Sequence, residues 1–173
     1  MISLDNLTTG YGTVAVSRSL NGTIPAGRLT CLLGPNGAGK STLLRTIAAF
    51  QPPLEGSVRI GGRPVDTWSQ TELSHTIGVV LTERIMVTET NVEELVRMGR
   101  SPYTGFFGRL TDADRSIADR AIALTGIGEL RKRNVSGLSD GERQKALIAK
   151  VLAQETPVIL LDEPTAFLDY PVR

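Results

Sequence analysis

The nine residues Gly34-Pro35-Asn36-Gly37-Ala38-Gly39-Lys40-Ser41-Thr42 constrain this chain more than any others. They fit a glycine, four spacer residues, then Gly-Lys-Ser, directly after an apolar run at 29–33 and at the start of a helical pattern over about 39–49. Small residues there let successive backbone N–H groups turn inward as a nest, and the helix start adds positive potential. In such a loop Lys40 reaches the β- and γ-phosphates of a nucleoside triphosphate. The Ser41 hydroxyl can ligate Mg²⁺, and Thr42 is placed for the α-phosphate. An ordinary glycine-rich strand-to-helix turn is the plainer reading, and the strand-before, helix-after placement argues for phosphate instead.

A second signal stands near the other end. The run Val158-Ile159-Leu160-Leu161 is apolar at consecutive positions, the pattern of a parallel strand covered on both faces, and it ends on Asp162 and Glu163. In a chain with a phosphate loop, a carboxylate at that point holds Mg²⁺ through water. Its neighbour can orient and activate an attacking water. Between the two signals, Ser139 and Glu142 form a capping box, and Ser139 with Gly141 turns the next helix start into a further anion site. That site needs a second nucleotide or a second subunit.

Strand signals fall at about 2–4, 28–33, 57–60, 77–81 and 157–161, and helical signals at about 39–49, 91–99, 112–126 and 140–154, with Thr111 as an N-cap. The expected fold class is α/β with a mostly parallel sheet. Residues 1–83 form the first part of the core, 84–138 an inserted helical lobe, and 139–173 the return to the core. With 19 Lys+Arg against 18 Asp+Glu, no global field draws the chain to nucleic acid or an anionic membrane. Cys31, the single cysteine, is expected to be a buried small hydrophobe, which fits a reducing compartment. No stretch approaches the roughly 18 to 20 apolar residues of a membrane span.

"GPNGAGKST", "LSDGE" and "VILLDEPTAFLD", in this order, resemble the nucleotide-binding domain of ABC ATPases over nearly the whole chain. The resemblance implies a P-loop NTPase fold, ATP and Mg²⁺ as ligands, and ATPase activity. It implies that Tyr11 stacks on adenine and that Gly34 through Thr42, including Pro35, Asn36, Gly37, Ala38 and Gly39, bind phosphates and the metal. Ser139 and Gly141 would contact the γ-phosphate held by an opposing subunit, Asp162 would serve Mg²⁺, Glu163 would be the catalytic base, and Asp169 would couple the two sites. The implied partners are a second copy of the subunit, transmembrane permease subunits and, indirectly, a periplasmic or lipoprotein substrate-binding protein. The implied location is the cytoplasmic face of the cell membrane. "VEELVRMGRSPYTGFFGRLTDAD" is similar to the iron-siderophore, haem and cobalamin importer branch.

The chain departs from the family pattern in places. Thr82, flanked by Glu83, stands where a metal-reaching glutamine is usual. Asp140 replaces a glycine and Glu142 a glutamine in the signature. The family's next strand and its γ-phosphate histidine have no counterpart, since the one histidine, His75, comes too early. The expectation is a fragment of a longer subunit, lacking C-terminal core strands, with an open slot between the strands at 28–33 and 157–161. A non-catalytic nucleotide-binding module, or an ABC ATPase not tied to transport, are the alternative readings.

Overall fold

The computed structural model describes residues 1–81, 89–105 and 108–164, which form two compact units, Met1–Leu73 and the chain from Ser74 on. In the first unit β1 (Ile2–Tyr11) and β2 (Val14–Ile24) form an antiparallel hairpin, with Tyr11 opposite Val14 and Ile2 opposite Ile24. On its other edge β1 pairs antiparallel with β3 (Glu55–Ile60), which pairs with the short β4 (Arg63–Pro64). The strand order is β2-β1-β3-β4. Leu7 from β1 and Val58 from β3 are buried together with Ile47 of α1 (Lys40–Ile47), the helix that packs on β1. Alternating burial in β3, with Val58 and Ile60 inside and Arg59 outside, is what a sheet with one covered face requires.

In the second unit β5 (Ile77–Val80) and β6 (Val158–Leu161) form a parallel ladder, Ile77 opposite Val158 and Val80 opposite Leu161. Three helices, α3 (Val92–Arg97), α4 (Asp112–Leu124) and α5 (Asp140–Ala153), pack on one another around Leu95, Val96, Ala118, Ile122, Ala146 and Leu147. Each opens on a reciprocal capping box, Asn91 with Glu94, Thr111 with Asp114 and Ser139 with Glu142. The remaining helix, α2 (Gln70–Thr76), starts on the same device: the Glu72 N–H donates to Ser69 Oγ, and the Ser69 N–H donates to the Glu72 carboxylate. The "SQTE" spacing announces it, although the sequence reading passed over it.

The structure corrects three expectations. Residues 28–33 are not a strand: they join no ladder, Leu29 is 93% and Leu33 88% exposed, and Cys31 is exposed rather than buried. Apolar, β-branched composition marks a strand candidate, but a strand exists only through hydrogen bonds to a neighbour, and none of the described strands pairs with this run. Parallel pairing is accordingly confined to β5 and β6 among the described residues, while the remaining ladders are antiparallel. Finally, α1 ends at Ile47 rather than near 49, because Ala49 turns into the left-handed region at φ 58°.

Candidate nucleotide-binding site

The phosphate loop belongs entirely to the first unit. Helices α2, α3, α4 and α5 start on side-chain caps, whereas α1 starts on Gly39, in the left-handed conformation and with no side-chain cap. The first amide to bond back along the chain is that of Leu43, which donates to Gly39 O. The N–H groups of the first turn therefore lack intrahelical acceptors, as any helix start must, and here no side chain takes their place. Gly39 has φ 89°, and a Cβ there would lie 2.7 Å from Val16 Cγ1 and 2.8 Å from Ser17 Oγ. Backbone angle and space both require glycine. Gly37, at φ 81°, meets nothing within 4 Å.

Lys40 folds back over this loop, its ammonium donating to Gly34 O and Pro35 O at 2.9 Å each. The cation is thereby held at the mouth of the loop rather than extended into solvent. Ser41 is half-buried in the first turn, and Thr42 is buried with its Oγ1 3.5 Å from the Tyr11 hydroxyl. Tyr11 itself is 53% exposed at the tip of the β1–β2 hairpin. The start of α1 thus brings backbone amides, a lysine and a hydroxyl close to an exposed aromatic ring.

The second unit holds the other expected residues. The Asp162 N–H donates to Val80 O at 2.9 Å, continuing the parallel ladder by one bond, and the residue is 3% exposed. Glu163, next along, takes φ 48° and is exposed, so the backbone turns between the two carboxylates. Ser139 and Gly141 stand at the start of α5. The Ser139 Oγ accepts from the Glu142 N–H, and the Ser139 backbone N–H donates to the Glu142 carboxylate at 2.8 Å.

The two unusual acids of this signature are both neutralised by arginines the sequence reading did not single out. Asp140 accepts from Arg143 Nη1 at 3.0 Å, and Arg143 Nη2 also donates to Leu138 O. Glu142 accepts from Arg133 at 3.2 Å, while the Ser139 backbone N–H and hydroxyl, then Arg133, hold its carboxyl below the usual range. The i, i+3 spacing of Asp140 and Arg143 on a helix is visible in the sequence. Thr82, Glu83 and Asp169 lie outside the described residues.

Residues 17–166 match the family model described as ABC transporter. The chain is 41% identical over 165 residues to the ferric enterobactin transport ATP-binding protein FepC of Escherichia coli, covering 95% of this chain and 61% of that protein. It is 47% identical over 146 residues to the hemin import ATP-binding protein HmuV of Streptomyces coelicolor, covering 84% of this chain and 51% of that one. Among solved structures it resembles a dimeric post-hydrolysis ATP-binding cassette, MJ0796, bound to ADP and Pi, with a TM-score of 0.84, 27% identity, and coverage of 98% of this chain and 76% of that one. The chain thus spans about half to three fifths of the length of these curated relatives.

Proposed function

The chain belongs to the ABC transporter family, and from that premise we propose that it is the part of an ATP-hydrolysing subunit that holds the nucleotide and powers an importer. The observation that carries the reading is the start of α1, uncapped, glycine-bound and topped by the Lys40 ammonium. The loop amides and Lys40 hold the β- and γ-phosphates, and the Lys40 ammonium exchanges its two loop carbonyls for phosphate oxygens. Tyr11 stacks on the adenine. Mg²⁺ takes hard oxygen ligands, and the Ser41 hydroxyl and the Asp162 carboxylate are donors of that kind; when bound it neutralises charge on the phosphate oxygens.

Glu163 serves as the base. It accepts a proton from a water whose oxygen bonds to the γ-phosphorus while the bond to the β–γ bridging oxygen breaks, giving ADP and phosphate. Ser139 and Gly141 act on the γ-phosphate held by a second copy, which gives the two-fold sandwich expected of the family. Asp140, drawn to Arg143, does not oppose that anion with an unpaired charge.

The likeness to FepC and HmuV supports an iron-siderophore or haem importer, with a cobalamin importer in the same chemical class of bulky metal complexes, and with permease subunits as the partners. On this reading the working subunit acts against the inner face of a membrane. Among the described residues no helix is long and apolar enough to cross a membrane. The test is turnover: Glu163→Gln is expected to lower ATP hydrolysis at least about a hundredfold, in the range typical of a lost general base, while ATP binding persists. Equal turnover in the two proteins would remove Glu163 from this role.

A further inference from the structure

We propose that Gln51 is a positioning residue that locks the adenine platform Tyr11 to the phosphate helix α1, setting the span between base and triphosphate. The inference rests on the proposed roles of Tyr11 and the phosphate loop and adds a residue that neither motif contains. The Gln51 side-chain amide has two hydrogens, and both are used. It donates to Gly10 O at 3.2 Å and to Thr46 Oγ1 at 3.2 Å. The Thr46 hydroxyl in turn donates to Thr42 O at 2.8 Å, inside the helix and away from water. Thr42 Oγ1, 3.5 Å from the Tyr11 hydroxyl, completes a circuit that runs from the hairpin tip to the first turn of α1 and back.

Both ends of this brace are stiff. On the hairpin side Gly10 pairs with Ala15 and Tyr11 with Val14, and a Cβ on Gly10 would collide with Val14 O. The Gly10 carbonyl and the Tyr11 ring therefore move as one piece. On the helix side the chain leaves α1 through a Schellman turn, with the Phe50 N–H donating to Arg45 O and the Ala49 N–H to Thr46 O. That turn fixes where Gln51 begins. A ligand gripped at one end by the start of α1 and at the other by the ring of Tyr11 has a set length, and Gln51 bonds to both supports, beside the direct Thr42–Tyr11 contact. A phosphate chain without a base touches only one of them.

Equilibrium binding of Mg²⁺-ATP and of Mg²⁺-tripolyphosphate to the 173-residue chain, wild type and Gln51→Met, tests this. Methionine conserves volume and removes both donors. The expected result is about a tenfold loss of ATP affinity, within the range that base–aromatic stacking supplies, with tripolyphosphate affinity changed less than about twofold. Thr46→Val, which removes the shared hydroxyl and keeps the shape, is expected to show the same split and decides the matter if Gln51→Met does not fold. Equal weakening of both ligands would make Gln51 a support of α1 alone, and no change in a folded variant would remove it from the site; either overturns the proposal. A wild-type chain that binds tripolyphosphate no more weakly than ATP would remove Tyr11 as a platform and this inference with it, whereas a wild-type chain that binds neither would overturn the proposed function itself.

Discussion

Glu163 sits in a backbone conformation that side-chain-bearing residues avoid, at φ 48°, one residue after a buried Asp162 held in a ladder. The cost of a left-handed non-glycine residue is of order 1 kcal/mol. What it achieves here is separation: one carboxylate stays in line with the strand and the next is swung out to the surface. Strain at a residue with a proposed chemical role gives a prediction with two opposite signs. Glu163→Gly is expected to raise unfolding free energy by about 1 kcal/mol in denaturant titrations while abolishing ATP turnover. A variant that loses turnover and stability together would show that the turn is not strained. Glycine at 39 is the converse case. There the left-handed angle and the contacts with Val16 and Ser17 leave no room for a side chain, so the residue type follows from geometry before any ligand is considered.

Helix ends carry most of what the sequence could and could not announce. The caps at Thr111 and Ser139 depend on residues three positions apart and are therefore readable from a short window, as is the phosphate loop, whose residues 34–42 are contiguous. The run at 28–33 is the opposite. Its apolar letters are right for a strand, yet the ladder that would make it one lies far away in sequence, and the described strands supply none. β2 was missed because its exposed positions, Val14, Val16 and Arg18, alternate with only partly buried ones and leave no clear apolar face. Of the two arginines beside Asp140 and Glu142, Arg143 is legible at i, i+3 from Asp140, whereas Arg133 is not, because it reaches Glu142 across a turn rather than along a helix. At the end of α1, Ala49 adopts the left-handed C′ position of a Schellman turn, which glycine favours. Ala49→Gly is expected to stabilise the chain by about 0.5–1 kcal/mol, read as a shift of the denaturation midpoint with unchanged slope. The start of α4 predicts a pH effect. Asp114 has its carboxyl lowered to about 2 by the Thr111 hydroxyl and backbone N–H and then by buried Arg100. A depressed acid contributes stability that is fully present above its unfolded value, near 3.9, and is lost as pH falls through about 2. Unfolding free energy should therefore decline over roughly pH 4 to 2 more steeply in the wild type than in Asp114→Asn. Parallel curves would contradict the assignment.

At the scale of the molecule, the residues of the proposed function are divided between the two compact units. The first holds a glycine cradle with a lysine across it, and the second holds a carboxylate pair at a strand end and a helix capped by Ser139. On the proposed function, a second copy that also binds the ATP makes the nucleotide favour the associated state. Membership in the ABC transporter family accounts for the order of these parts along the sequence, and the likeness to a dimeric cassette bound to ADP and Pi supports the proposal of a second copy. All of it depends on the start of α1 holding a triphosphate. The most direct measurement is equilibrium binding of Mg²⁺-ATP to the wild-type chain and to Lys40→Ala, both shown to be folded by circular dichroism. Saturable binding by the wild type and at least about a tenfold weaker affinity in the variant is the predicted result, since the loop loses its one ammonium to the phosphates; equal affinity, or no saturable binding by the wild type, would contradict the account.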